Sequence, residues 1–257
     1  MLNEDLNIYV LQHKEYKNLH PTLGNRIPLQ VGSWDKPKFC VLTDDTGENI
    51  SNMNKIYLET TGHYWVLHND KQSNYVGFEH CCRQFLSLET EDEIKKILNN
   101  YDIIAPIPIV NNETVLEQYT RVAIRNDILL CQEIIDELYP QYKGEFKIYI
   151  NTTSPKLYYS NIFITKWDTF QKMYTFVFDI LKRFEEIRGF KRISDWRSYV
   201  MSQNVDKEIH KERHPDLSWV DYQMRICGAL SERLTSFYIL VNKFNVYEVP
   251  VLAEWYE

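Results

Sequence analysis

Three short stretches of the sequence combine residue types and spacings that can do chemistry. The first spans residues 42–51, where Asp44 and Asp45 stand in a polar run after apolar residues 39–42. Carboxylates and backbone N–H groups of such a run can bind a ligand, but short Asp-Asp-Thr-Gly strings more often form side-chain-capped turns. The spacing alone therefore favours a turn.

The second stretch is a strand-like run that leads into His80 and Arg83. A guanidinium group matches phosphate oxygens in pairs, and a cation stabilises the charge that develops on a phosphate leaving group. No two aspartates in the chain are separated by one residue, so a metal-binding Asp-x-Asp pair is absent. His80 and Arg83 would then do the work of the metal. A half-buried histidine beside a surface ion pair is an equally open interpretation.

The third stretch is residues 228–234, in which Glu232 and Arg233 interrupt an apolar helical stripe. Such charges usually lie on a solvated helix face. Alternatively, Glu232 serves as a base or anchors a substrate hydroxyl. Neighbouring residues on a helix point about 100° apart, so we expect that Arg233 need not neutralise Glu232.

Other signals exclude functions or are discounted. Residues 210–214 lack the Glu that must follow the first His of a zinc helix, and Cys81-Cys82 lacks C-x-x-C spacing. On a strand, one of these two cysteines would face the core. The net charge of -7 argues against nucleic-acid binding. Five cysteines without a signal peptide or an apolar span indicate reduced thiols in the cytoplasm.

The predicted elements alternate between strand and helix. Strand patterns occupy residues 6–11, 27–31, 74–78, 101–104, 157–165 and 246–251. Helical patterns follow a capping box at Thr90, and occupy residues 130–138, 170–184 and a long segment from about 218 to 241. This alternation predicts one α/β domain over residues 1–257, with a largely parallel sheet that binds ligands at the carboxyl ends of its strands.

Several ordered blocks then resemble the bacterial capsular and exopolysaccharide proteins that carry the domain of unknown function 4422. The blocks cover residues 8–14, 27–32, 44–51, 57–65, 75–85, 101–104 and 228–234. Residues 57–65 resemble the family's Tyr-x-Glu-x-Thr-Gly-x-Tyr-Trp, and residues 228–234 its Gly-x-x-Ser-Glu-Arg-Leu. Where the family has His-Tyr-Arg-Arg-Tyr-Phe, this chain has His80, two cysteines, Arg83, Gln84 and Phe85, so one Arg and both Tyr are lost.

The resemblance implies a GT-A-like glycosyltransferase with added C-terminal helices. The implied donor is a UDP-sugar, with galactose or galactofuranose as candidates, and the implied acceptor is a lipid-linked oligosaccharide of a surface polysaccharide. Residues 1–110 would form the donor half and residues 111–257 the acceptor half. A catalytically degenerate nucleotide-sugar or glycan binder is the alternative, and a metal-dependent hydrolase using Asp44 and Asp45 is a third possibility.

Site roles follow from the blocks and the strand-end rule. Donor-binding residues are predicted to be His13, Lys14, Gly32, Asp44, Asp45, Thr61, His80 and Arg83. Acceptor-side residues are predicted to be Tyr64, Trp65, Ser231, Glu232 and Arg233. Among Asp44, Asp45, Glu59 and Glu232 as carboxylates, we select Glu232 as the base or sugar anchor, with Asp45 and Arg83 as further catalytic residues. We expect Glu59 only to order a turn.

Metal and membrane expectations complete the interpretation. We expect no metal cofactor and no strict dependence on a divalent metal, although Asp44 and Asp45 can bind Mg²⁺ or Mn²⁺ weakly. Residues 182–197 carry a net charge of +3, from six basic and three acidic residues, interleaved with Phe184, Phe190 and Trp196. Such a segment suits peripheral contact with the anionic inner face of the plasma membrane, or equally a solvated helix end.

Overall fold

A computed structural model of the chain describes residues 4–15, 26–70, 73–88, 90–203 and 217–253. These described residues contain a nine-stranded sheet with the central order β3-β2-β1-β4-β7-β6-β8. The strands are β1 Leu6–Gln12, β2 Arg26–Gln30, β3 Leu42–Thr43, β4 Tyr75–His80, β5 Arg83–Phe85, β6 Ile103–Pro106, β7 Phe163–Lys166, β8 Val246–Val249 and β9 Val251–Ala253.

Most of the sheet is parallel. Strand β1 pairs in parallel with β2 and β4, β2 with β3, and β6 with β8, whereas β7 runs antiparallel to both β4 and β6. The hairpin partner β5 pairs antiparallel with β4 and with β9. The carboxyl ends of β1, β4 and β6 therefore meet at one edge, where the chain also enters β7.

Helices cover both faces of the sheet. They are α1 Asn54–Tyr57, α2 Thr60–Asn69, α3 Glu91–Leu98, α4 Val115–Val122, α5 Arg125–Leu138, α6 Glu145–Asn151, α7 Trp167–Arg188, α8 Ile193–Ser202, α9 Trp219–Gln223 and α10 Ile226–Val241. Every residue of β1 is buried, as expected of a strand covered on both sides. Tyr9 and Leu11 belong to the large core, and Leu6 and Ile8 belong to a smaller core on the opposite face.

Local signals predicted several boundaries correctly. Thr90 caps α3, and its hydroxyl accepts a hydrogen bond from the Glu93 N–H at 3.2 Å. Helix α5 ends at Leu138, just before Pro140. Helix α7 contains the whole predicted stripe and ends at Arg188, just before Gly189, which has a φ of 71°. Strong periodicity with a cap or a breaker is a local property, so the chain neighbours suffice to predict it.

Other boundaries were wrong for identifiable reasons. The predicted strand 157–165 begins only at Phe163, because Ser160 and Asn161 adopt left-handed φ values of 72° and 51°. The predicted strand 246–251 is divided at Pro250, which has no N–H for a ladder. Strand β6 starts two residues later than expected and includes Pro106.

The remaining corrections concern helices and the cysteine pair. The long C-terminal helix is two helices, α9 and α10, with Met224 and Arg225 between them. Cys81 and Cys82 form the turn between β4 and β5 and not a strand. Cys81 is buried and Cys82 is partly exposed, so the prediction that one of them packs in the core is confirmed.

The basic segment also differs from its prediction. Phe184 and Trp196 are fully buried, and the Phe190 ring centroid lies 4.2 Å from that of Trp196. The chain reverses direction at Gly189, so α7 and α8 lie against each other. These rings pack between the two helices in the core. The charges of the segment remain near the surface without an aromatic surface around them.

Candidate active site

A cavity of 690 Å³ opens at the edge of the sheet where the parallel strands end. His80 is the last residue of β4, Pro106 is the last residue of β6, and Ser160 lies just before β7; all three line the cavity. In open α/β sheets the carboxyl ends of the strands are the usual place for a ligand. The cavity therefore lies where the sequence analysis placed a binding site.

Helix α10 forms one wall of the cavity. A Cβ atom on Gly228 would lie 2.7 Å from the Leu58 Cδ1 atom, so this position packs against Leu58 more closely than any side chain allows. Residues four apart lie on the same helix face, and Glu232 follows Gly228 by one turn. The close approach at Gly228 thus brings Glu232 to the same cavity as Glu59, the neighbour of Leu58.

Glu232 is fully engaged by hydrogen bonds. Its Oε1 atom accepts from the Ser160 N–H at 2.7 Å, and its Oε2 atom accepts from Arg233 Nη1 at 2.7 Å. Our expectation that Arg233 need not neutralise Glu232 is wrong. The two residues point about 100° apart around the helix, but their side chains are long enough to meet. The solvated-face interpretation is also wrong, since the Arg233 side chain is 4% exposed.

Arg233 is held from several sides. Its Nη1 atom also donates to the Ala229 carbonyl at 2.8 Å, and its Nη2 atom donates to Gln118 Oε1 at 2.7 Å. The guanidinium carbon lies 5.4 Å from the Tyr119 ring centroid. These contacts hold the Arg233 guanidinium in place. Arg233 therefore positions the Glu232 carboxylate and connects α10 to α4.

Glu59 is the second carboxylate of the cavity, and the sequence analysis gave it only a turn-ordering role. It occupies the N-cap position of α2 without a capping hydrogen bond from its side chain, and its Oε1 atom accepts from Asn161 Nδ2 at 2.7 Å. Burial raises the pKa of Glu59 to about 7, and the charge of Glu232 adds to this rise. Asn161 Nδ2 also donates to the Ser231 hydroxyl at 3.0 Å, so the predicted Ser231 lies behind this network.

His80 and Arg83, two of the predicted donor-binding residues, both line the cavity and pair with each other across the β4–β5 turn. Burial lowers the pKa of His80 to about 3, and the charge of Arg83 adds to the effect. His80 is therefore neutral at physiological pH, which corrects the expectation of two cations at this place. Its Nε2 atom is buried and has no hydrogen-bond partner within the described part of the chain.

Arg225 is a cavity residue that the sequence analysis missed. Four arginines line the cavity: Arg83, Arg121, Arg225 and Arg233. Arg121 pairs with Glu113 and Arg233 pairs with Glu232. Arg225 contacts the Tyr222 ring, 5.9 Å from its centroid, and pairs with no carboxylate of the described residues. No sequence signal marks it, because it acquires its position only when α9 and α10 pack against the strand ends.

The end of β1 adds positive charge beside Arg225. Burial lowers the pKa of His13, and the neighbouring charges of Lys14, Lys36 and Arg225 lower it further. His13 and Lys14 are not part of the cavity wall, but this electrostatic coupling places them near its Arg225 side. Of the predicted donor residues at the end of β1, Lys14 thus adds positive charge near Arg225, whereas the lowered pKa of His13 disfavours its charged form.

Both oxygens of the Asp44 carboxylate accept hydrogen bonds from the protein itself. It is completely buried; its Oδ2 atom accepts from the Gly32 N–H at 2.8 Å, and its Oδ1 atom accepts from the Ser33 N–H at 3.0 Å. Oδ1 also accepts from the Ser33 and Ser51 hydroxyls at 2.9 and 2.5 Å. Asp45 pairs with Lys38. Gly32, Asp44 and Asp45 do not line the cavity, and their donor-binding roles stay predictions.

Three further predicted residues on α2 also lie outside the cavity wall. The Thr61 hydroxyl donates to the Leu58 carbonyl at 3.1 Å, and Trp65 Nε1 donates to the Thr46 carbonyl at 2.9 Å. The Tyr64 hydroxyl donates to Glu48 Oε1 at 2.9 Å. Trp65 and Tyr64 hold the loop after Asp44 and Asp45 against α2, and Thr61 holds the α1–α2 turn. Their predicted donor and acceptor roles remain untested.

Metal-binding clusters and membrane-spanning helices are both missing from the described residues. Within them, no group of three or more His, Cys, Asp or Glu side chains is arranged to hold a metal ion. None of the helices in the described ranges is long and apolar enough to cross a membrane. The discounted His motif at residues 210–214 lies outside the described residues.

Comparisons with known proteins give a family and a fold. A family model described as "Domain of unknown function (DUF4422)" matches residues 7–203. A solved structure titled "WbbM bifunctional glycosytransferase apo structure" is similar, with a TM-score of 0.77 and 24% sequence identity. The alignment covers 98% of this chain and 46% of that chain, so this chain spans less than half of that protein. No curated protein sequence matches. The expected α/β, GT-A-like fold is confirmed.

Proposed function

The chain belongs to the DUF4422 family, and from this premise we propose that it is a glycosyltransferase. It would move a sugar from a UDP-sugar, with galactose or galactofuranose as candidates, to a glycan acceptor in the synthesis of a cell-surface polysaccharide. The observation that carries the proposal is the cavity at the strand ends, which combines two carboxylates, Glu59 and Glu232, with the guanidinium groups of Arg83 and Arg225.

This combination suits the chemistry of sugar transfer. A carboxylate can hold or deprotonate a sugar hydroxyl, and a cation can stabilise the diphosphate as it leaves. Arg121 and Arg233 are neutralised by acidic partners, whereas Arg225 pairs with no carboxylate of the described residues and can bind an anionic ligand. Because His80 is neutral, it adds no charge toward this ligand.

We place the diphosphate between Arg83 and Arg225, on the side of the cavity that faces His13 and Lys14. The acceptor would then occupy the side formed by α4 and α10, where Glu232 and Arg233 lie. A lipid-linked oligosaccharide is our proposed acceptor, since the family resemblance points to surface polysaccharides. Catalysis without strict need for a divalent metal is part of the same proposal, because guanidinium groups would neutralise the diphosphate.

A panel of UDP and UDP-sugars tests the binding half of the proposal. We expect UDP to stabilise the protein in a thermal-shift assay, and Arg225→Ala to weaken UDP binding by about 10-fold or more, the equivalent of one charged hydrogen bond. Arg121→Ala is the matched control, because it removes a cavity arginine that Glu113 already neutralises. Equal losses in the two variants would contradict the placement of the diphosphate.

Product analysis tests the catalytic half and separates the alternatives. A transferase consumes a UDP-sugar faster when extracted lipid-linked acceptor is added and yields a larger glycan. A degenerate binder of the same fold binds UDP without consuming the sugar. In this chain, Cys81 and Cys82 replace the family's Tyr-Arg pair beside Arg83. This replacement is the observation that favours the degenerate binder as a second candidate function. A hydrolase requires metal and no acceptor.

A further inference from the structure

The two cavity carboxylates differ in how they are bonded. Each Glu232 oxygen holds a hydrogen bond, one from the Ser160 backbone and one from the buried Arg233 guanidinium. In the described part of the chain, Glu59 accepts from one other side chain, the neutral amide of Asn161. Protein donors therefore hold both Glu232 oxygens in place, whereas the side-chain partner of Glu59 is a neutral amide.

We propose that Glu59 is the catalytic base of the sugar transfer and that Glu232 is a positioning residue for the turn at Ser160 and Asn161. This inference rests on the proposed glycosyltransferase function. As the acceptor oxygen bonds to the anomeric carbon, the bond from that carbon to the diphosphate breaks and its electron pair leaves with UDP. The hydroxyl proton passes to Glu59, which later releases it to water.

The turn between the carboxylates fixes Glu59 in place. Ser160 binds Glu232 through its backbone N–H, and the next residue, Asn161, binds Glu59 through its side chain. Both residues have left-handed φ values, a conformation that costs free energy and persists only when neighbouring contacts hold it. The Asn161 carbonyl lies 3.0 Å from His63 Nε2, and its Oδ1 atom accepts from the Thr235 hydroxyl at 3.3 Å.

The charges around Glu59 make it suited to accept a proton near neutral pH. Glu232 faces it from α10, Arg225 from the start of that helix, and His63 from α2, with its Nδ1 atom 3.2 Å from the Glu59 carbonyl. The neutral His80 and the charged Arg83 complete the lining on the side of β4 and β5. Burial, and then the Glu232 charge, raise the pKa of Glu59 to about 7, close to the optimum for a base at physiological pH.

The sign of the pH dependence follows from this assignment. A base must be deprotonated to act, so turnover should rise as pH increases through about 7 and level off above it. Burial lowers the pKa of both His63 and His80 to about 3, so neither histidine changes charge in this window. A rise near neutral pH therefore does not report either histidine. The pKa of Cys82, beside Arg83, is lowered to about 6, so the loss of the rise in Glu59→Gln is the result that identifies Glu59.

The test compares Glu59→Gln with Glu232→Gln. The probes are UDP-galactose and UDP-galactofuranose, with octyl galactosides as acceptors, and UDP release is measured from pH 5.5 to 8.5 with water alone as a second acceptor. We expect Glu59→Gln to lower kcat by about 10²–10⁴-fold, with UDP affinity within about 3-fold of wild type and no remaining rise with pH. Glu232→Gln should raise the KM for the galactoside and keep the rise with pH.

Each outcome decides the inference. Near-wild-type turnover in Glu59→Gln, or a rise with pH that is lost only in Glu232→Gln, overturns it and leaves the proposed function intact. Wild-type protein that binds UDP but releases none from either UDP-sugar overturns the inference and leaves a nucleotide binder. Wild-type protein that fails to bind UDP overturns the proposed function itself. If Glu59→Gln does not fold, Glu59→Asp retains the carboxylate and must keep a rise with pH at reduced kcat.

Discussion

The buried carboxylate of Asp44 offers a direct test of whether the loop at residues 42–51 serves the structure or a ligand. The substitution Asp44→Asn keeps the shape and removes the charge. Oδ2 accepts one hydrogen bond, from the Gly32 N–H, and Oδ1 accepts three. The best placement of the asparagine puts its oxygen toward the three donors and its NH2 group against the Gly32 N–H.

The magnitude follows from this count. One hydrogen bond to a charged acceptor is lost, which costs about 1.5–3 kcal/mol, and the other three lose the charge that strengthens them. We therefore expect the free energy of unfolding to fall by about 2–4 kcal/mol, a large part of the roughly 5–15 kcal/mol typical of a domain. For a chain of this length, the Tm should fall by about 5–10 °C.

Denaturant titration followed by circular dichroism, together with a thermal melt, measures both quantities. Asp45→Asn is the matched control, because the neighbouring carboxylate pairs at the surface with Lys38 and such pairs contribute about 0–1 kcal/mol. Equal stability of the two variants would refute our account of Asp44. Unchanged stability of Asp44→Asn combined with lost UDP binding would make Asp44 a donor ligand.

Three further predictions concern packing, metal and membrane. Gly228→Ala should lower the free energy of unfolding by about 1–3 kcal/mol in denaturant titration, because its Cβ would meet Leu58 Cδ1 at 2.7 Å; wild-type stability would show that Leu58 yields without cost. EDTA should leave most UDP-sugar turnover intact, and activity abolished by EDTA and restored by Mn²⁺ would contradict the metal-independent proposal. Anionic vesicles should bind the protein at low salt and release it near 0.15 M salt, since Phe184 and Trp196 are buried and cannot insert into the bilayer; Lys191→Glu with Arg192→Glu should abolish this binding in a sedimentation assay, and unchanged binding would exclude this segment.

Much of the fold could be predicted from local patterns. The period of apolar residues indicated β1, β4 and α7, the Thr90 cap marked the start of α3, and alternation of strand and helix predicted an α/β sheet with a site at the strand ends. The family blocks directed attention to His80, Arg83 and Glu232, and all three line the cavity. These features depend on residues that are close in sequence, or on the order of the family blocks. Both can be read from a single sequence.

The roles of individual charges required the tertiary structure. Asp44 stands in a polar run and Glu232 in an apolar helical stripe, yet Asp44 is buried among donors from two other segments and Glu232 faces the cavity, paired with Arg233. Glu59 meets Asn161 across 102 residues, and Arg225 reaches the strand ends only through the break between α9 and α10. Protonation and charge in a cavity depend on burial and on partners distant in sequence, so the sequence by itself determined the sheet and its binding edge, and only the packing decided which carboxylate can take a proton.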